Sequence, residues 1–297
     1  MGSIPITRSK ITIFCTRKET NGEGSQNRLE RFWTAKRPER SEGEDHGWSE
    51  SIPFTRSTNA ASVAVANRPV QRVAILLTIF AGSLSEAADF TGYAVLTTDY
   101  VFRGVSYSDS HAAAQLGSDV VFDTGIYFGA WASTVDLSSG SGSQRDLQVD
   151  YYVGYGFDLS NKWSLGANVV SYNFPGAEGQ FDYDYFEYSL TSNYNDRVWF
   201  EYSFSPDIFH TGYSTHNYDL YSEWQPGGEL TIGAGVGYYD VSNLIGSGYT
   251  YWQLGVTHPI GAVDVDLRYF DTSDWLPIIS TPERAEARLV LSVRFQF

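Results

Sequence analysis

Hydrolysis by a side-chain nucleophile needs Ser, Thr or Cys within hydrogen-bond reach of a base, most often Ser beside His. Four histidines follow residue 88: His111, His210, His216 and His258. The first three fall in long polar loops and His258 beside a tight turn, and no serine faces any of them from an adjacent segment. No catalytic residue is assigned, and the chain is not expected to be an enzyme; a lipid-acting hydrolase is the lesser alternative. Asp182 and Asp184 share one face at strand spacing, and Asp271 and Asp274 lie close together at a loop start. Ca²⁺ favours such hard oxygen ligands, yet a solvated acidic rim accounts for both pairs, so no metal is assigned. Cys15 and Met1, the one cysteine and the one methionine, both precede residue 88, which excludes thiol chemistry, disulfides and a cysteine metal site in the main domain. The glycines of Gly233-Ala234-Gly235-Val236-Gly237 alternate on one strand face with no helix behind them. They read as room inside a barrel, not as a phosphate loop, and no cofactor is expected.

These side chains belong to a chain whose composition changes near residue 88. Of 20 Lys/Arg and 35 Asp/Glu, 12 and 9 lie in 1–88, which leaves 8 basic against 26 acidic residues in 89–297, a net charge of −18. That balance argues against nucleic acid as a partner. All 21 tyrosines also lie in 89–297. Residues 1–67 show neither helical nor strand period and read as disordered or as a mis-annotated extension. In 68–88, Arg68 and Arg72 precede the apolar run Val73 to Ala81 and the small-residue exit Ser85-Glu86-Ala87-Ala88. This is the pattern of a secretory signal peptide, too short to span a bilayer as a helix. It predicts a mature start at Ala88 or Asp89 and an initiator at Val63, Val65 or Val70.

From Asp89 on, segments of 10 to 14 residues or so alternate apolar and polar positions between Gly, Asn, Asp, Pro and Ser. In 284–297 every odd position is apolar, while the even ones include Arg284, Glu286, Arg288 and Arg294. Twelve such segments are expected, at 90–106, 112–122, 126–136, 145–158, 163–174, 181–194, 197–206, 215–225, 229–241, 248–258, 262–271 and 284–297. Their connections alternate between tight turns and mostly longer polar loops, with both termini on the tight-turn side. A soluble sandwich would also alternate, but its apolar face is a tight core. Here the opposite face carries Asp, Glu, Arg and Gly. Tyr100, Phe102, Trp163, Tyr194, Trp224 and Trp252 stand near segment ends, where an interfacial girdle belongs. The fold class is therefore all-β: a twelve-stranded antiparallel up-and-down transmembrane β-barrel over 89–297 in the bacterial outer membrane.

Thr98-Asp99-Tyr100-Val101-Phe102-Arg103-Gly104-Val105-Ser106, followed by Gly129-Ala130-Trp131-Ala132-Ser133 and Tyr152-Val153-Gly154-Tyr155, resembles the Gcw_chp family of uncharacterised proteobacterial outer-membrane proteins. The resemblance covers essentially all of 89–297 and implies location and fold but no activity. The end Arg294-Phe295-Gln296-Phe297 is similar to the C-terminal assembly signal of outer-membrane barrels, with Phe295 and Phe297 as its aromatic positions. Membrane lipid and the barrel-assembly machinery are the partners this implies.

Strand parity turns ten acids inward, Asp99, Asp119, Asp150, Glu187, Glu201, Asp219, Glu223, Asp264, Asp266 and Glu286, with four arginines, Arg103, Arg268, Arg288 and Arg294. Asp264 and Asp266 should lie level with Arg294, and Arg103 on the first strand should neighbour the last. Pairing the arginines leaves an acidic excess, which predicts a narrow channel for small polar or cationic solutes. The alternative is a structural or surface-interaction barrel whose lumen is filled by side chains.

Overall fold

The computed structural model describes residues 88–137, 146–175, 182–276 and 280–297. The expected extension and signal peptide, apart from Ala88, lie outside the described residues. The chain forms a closed antiparallel barrel of twelve strands: β1 (Ala88–Thr97), β4 (Ala113–Phe122), β5 (Ile126–Val135), β6 (Asp146–Asp158), β7 (Trp163–Asn173), β8 (Tyr185–Tyr194), β9 (Val198–Ser205), β10 (Thr215–Gly227), β11 (Leu230–Asp240), β12 (Gly248–Ile260), β13 (Val263–Thr272) and β14 (Arg288–Gln296). Two short strands, β2 (Val101–Phe102) and β3 (Val105–Ser106), pair only with each other. The described helical structure is short, and no described helix is long and apolar enough to cross a membrane.

Consecutive barrel strands pair throughout, and β1 closes on β14 from Tyr93↔Gln296 to Thr97↔Ser292. Closure leaves no sheet edge, the condition that lipid imposes on a spanning sheet. The period of two divides each strand between two faces. Leu96, Leu116, Leu190, Leu220, Leu254 and Leu289 are exposed on the outer wall, while Asp119, Glu187, Asp219 and Arg268 are buried inside. The girdle is formed in part by Trp163, Trp224 and Trp252, all exposed near strand ends.

Three expected segments are shorter than the alternation suggested; the sixth, expected from 181, is a strand from Tyr185. The first leaves the wall at Thr97 and not at 106, because the residues after it fold inward as the β2–β3 hairpin. Tyr100 and Phe102 are consequently buried in the interior and belong to no girdle. The last begins at Arg288; Pro282–Ala285 makes a 3-10 turn with Pro at its start, which suits the fixed φ of that ring. Ala285, assigned to the lipid face, is buried.

Candidate functional site

Ala88, Phe297 and the tight turns lie at one end of the barrel, and the longer connections leave from the other. The lumen at the loop end is filled by an aromatic and aliphatic cluster that includes Tyr100, Phe102, Val105 and Tyr107 of the inward segment and Trp131, Tyr172, Tyr185, Phe209, Tyr239, Tyr249 and Tyr251. Burial holds the Tyr107 phenol well above its ordinary range, so it stays neutral.

The hairpin explains this closure. Val101 pairs with Ser106 and Phe102 with Val105, which leaves Arg103 and Gly104 as a two-residue turn with φ of 50° and 81°. Positive φ at both positions is the geometry whose twist matches two antiparallel strands. A side chain on Gly104 would collide with Tyr251 and Thr272, so the tip lies flush against the wall. Arg103 reaches across the lumen to β8, the fifth strand from β1 in one direction round the barrel and the seventh in the other. Its two terminal nitrogens donate to Oε1 and Oε2 of Glu187 at 2.7 and 2.8 Å. The Tyr172 hydroxyl donates to Glu187 Oε2 at 3.1 Å, and the Arg103 guanidinium lies 4.6 Å from the centre of the Tyr239 ring.

The base of the segment is tied to the end of the chain. The Asp99 carboxylate accepts from Ser106 at 2.6 Å, Ser108 at 2.8 Å and Arg288 at 2.6 Å. Arg284 Nε donates to Asp109 at 3.0 Å, and its NH2 atom lies 4.0 Å from an Asp136 oxygen. Asp109, His111 and Asp136 present one ligand atom each within 4.8 Å of one another, with Arg284 beside them as an organic cation.

Below the hairpin the wall is polar and closely hydrogen-bonded. Tyr152 donates to Asp119, and nearer the loop end, level with Trp131 and Tyr172, Gln148 donates to Asp150 at 3.0 Å. Asp219 accepts from Asn217 at 2.6 Å and Tyr251 at 2.7 Å, and Glu223 from Tyr221 at 3.2 Å. Asp266 binds Thr257 at 2.6 Å and Arg268 of its own strand at 2.8 Å. Glu201, half-buried, stands directly across from Asp219 on the neighbouring strand, so two acids share one level of the wall.

Asp119, Asp150, Glu187, Asp219, Glu223, Asp266, Arg268 and Arg294 are buried, and Glu201 is half-buried. The expected neighbours Asp264 and Arg294 are cross-strand partners, whereas Asp266 stands opposite Ser292 and turns to Arg268. Three positions need correction. Asp99 and Arg103 sit on the inward segment and not on the wall, and Arg103 meets β8 instead of the last strand. Glu286 is exposed on the loop before β14 and lines no lumen. Arg288 lies at the loop end, on Asp99. His216, expected in a loop, is in β10, its Nδ1 2.8 Å from the Tyr202 hydroxyl.

Neutral donors were missed: Gln148, Asn217, Tyr172, Tyr221, Tyr251 and Thr257. Several share strand parity with the acids they serve, as Gln148 does with Asp150 and Asn217 with Asp219, and that spacing was the available signal. The space opposite Gly233 and Gly237 is taken by the Tyr221 and Tyr251 rings, so these glycines make room for side chains of the wall itself.

Fold and interior together define a transmembrane β-barrel with a polar lumen and an inward-folded hairpin. The chain belongs to the Gcw_chp family, described as a bacterial protein of unknown function, whose model matches residues 82–289. No curated protein matches it in sequence. Among solved structures it is similar to a KdgM porin in complex with disordered oligogalacturonate, at 8% identity and a TM-score of 0.46 over 70% of this chain and 99% of that one. It is similar to a NanC porin at 10% identity and a TM-score of 0.46, again over 70% and 99%.

Proposed function

We propose that the protein is an outer-membrane channel for small polar or cationic solutes, held closed in this state by the β2–β3 hairpin. One observation carries the reading: the wall beneath the hairpin is polar and acidic, whereas the obstruction at the loop end is centred on a separate segment, held by hydrogen bonds, ion pairs and apolar packing against the wall. Such a segment can leave without opening the barrel. Thr97 and Ala113, on either side of it, are already cross-strand partners, so the wall is complete without what lies between them.

A second reading is a barrel whose filled lumen serves structure or surface interaction. It is favoured by burial: Asp150, Gln148, Arg268 and Tyr221 are each at most 1% exposed, as in a braced interior. The two readings part on a single experiment. Residues 99–111 are replaced by a two-residue Asn-Gly turn, which suits a tight hairpin, and the refolded barrel is studied in planar bilayers. The channel reading expects sparse openings for the native protein and steady conductance for the shortened one. A shortened barrel that folds, by its heat-modifiable mobility, and does not conduct leaves the structural reading standing.

A further inference from the structure

Arg103 occupies a backbone position that arginine rarely takes. Two-residue turns with both φ values positive draw on Asn-Gly, Asp-Gly or Gly-Gly, since a Cβ is strained there. Strain of this kind persists where the surroundings hold it and where the side chain has work that the backbone alone cannot do. The work here is visible: the hydrogen bonds to the guanidinium come from the barrel, while the hairpin adds the Phe102 ring, its centre 4.8 Å away.

Glu187 of β8 offers both carboxylate oxygens, at 2.7 and 2.8 Å, in the parallel two-bond match that a planar guanidinium makes and an ammonium does not. The carboxylate is steadied by the Tyr172 hydroxyl at 3.1 Å, and Tyr172 is stacked on Tyr185 with ring centres 4.4 Å apart and planes inclined by 5°. Tyr239 presents its ring to the cation at 4.6 Å. Glu187, Tyr172, Tyr185 and Tyr239 are all buried on β7, β8 and β11. A carboxylate fork, a ring face and exclusion of water are what a receptor for a planar organic cation requires; the fork and the ring face belong to the wall, and the docked hairpin completes the burial. The other lumen arginine on the described wall with a bidentate contact, Arg268, takes its carboxylate from its own strand and so reports no such receptor.

We propose that the Glu187–Tyr172–Tyr239 cage is a binding site for the guanidinium group of a small solute, and that Arg103 fills it as a tethered mimic which such a solute displaces. The site stands on the Arg103 geometry; its use as the trigger that releases the hairpin rests on the channel reading.

The test uses methylguanidinium chloride as the probe and methylammonium chloride as control, titrated calorimetrically into the refolded barrel in detergent micelles. Arg103→Ala vacates the cage while Asp99, Arg288 and Arg284 still hold the base of the segment. Its affinity for methylguanidinium should exceed the native protein's by about tenfold or more, on the scale of charge-assisted hydrogen bonds. Adding Glu187→Gln should remove that gain, and methylammonium should bind R103A about tenfold more weakly than methylguanidinium. An R103A barrel that binds no more tightly than the native one, or that takes both cations equally, overturns the proposal. Should R103A not fold, the native background carries a spin label at His111→Cys, on the exposed part of the segment. Methylguanidinium should then mobilise the label where methylammonium at the same concentration does not, and an unchanged spectrum for both overturns the displacement of Arg103 by a solute. Binding without conductance, even in the shortened barrel, would remove the channel reading and leave the site; conductance without binding would do the reverse.

Discussion

Arg103 and Glu187 form an ion pair with both members almost fully buried, so the consequence of removing one partner is larger than the net value of the pair. Glu187→Gln leaves a guanidinium in an apolar surround, and loss of one member of a buried pair costs about 3–5 kcal/mol. The barrel wall does not depend on this contact, whereas the docking of the hairpin does. Trypsin added to the folded native protein is therefore expected to spare the bond after Arg103, which is 6% exposed. The E187Q protein should be cut there at least tenfold faster while keeping its heat-modifiable mobility; equal rates would show that the hairpin is held by other contacts. The sequence allowed Glu187 and most other inward carboxylates to be read from strand parity alone. It did not reveal that Asp219 and Glu223 draw on Asn217, Tyr251 and Tyr221, because counting charges passes over the neutral groups that satisfy a buried carboxylate. The acidic excess is therefore more closely hydrogen-bonded than its charge count suggested.

Among the elements, β1 and β14 form the seam that closes the barrel. Their ladder is extended by a reciprocal backbone pair between Gly92 and Phe297, at 2.9 and 2.8 Å, and the Phe297 ring lies over Gly92 where a Cβ would collide with it. Unpaired backbone groups cost several kcal/mol in hydrocarbon, so the end of this seam matters more than two hydrogen bonds would in water. Deleting Phe297 removes both bonds, and Gly92→Val displaces the ring. Each change is expected to lower the folded fraction in outer-membrane extracts severalfold, as judged by heat-modifiable mobility, and normal yield for both would show that the seam closes without this joint. The alternation of β14 made its outer face readable from Leu289 to Phe297. The inward hairpin was hidden for a related reason: Tyr100 and Phe102 continue the even, outward parity of Phe90 and Leu96 while Asp99 and Arg103 continue the inward one, so one long strand is the simpler reading although Val101 and Val105 fall on the polar face. Arg103-Gly104 was the sole local mark of a turn, and arginine is not a residue that positive φ brings to mind.

For the molecule as a whole, closure and charge act together. The hairpin fills the loop end, so on the channel reading the field of the wall acts on a solute once that segment is removed. Glu201 and Asp219 face each other across β9 and β10, and Glu223 follows on the same face of β10. Like charges at one level of a narrow, partly desolvated passage raise its affinity for cations and repel anions. The hairpin-shortened barrel is thus expected to prefer K⁺ over Cl⁻ under a KCl gradient. Its preference should fade toward about 1 M salt, where screening shortens to roughly 3 Å, less than the width of any passage that admits a solute. Changing Glu201, Asp219 and Glu223 together to their amides keeps size and much of the hydrogen bonding while removing the charge. The reversal potential of that variant should move toward zero with the open-channel conductance largely retained. A shift of the same size in the shortened barrel and in its amide variant as salt rises, or chloride preference in either, would assign selectivity to groups elsewhere in the lumen.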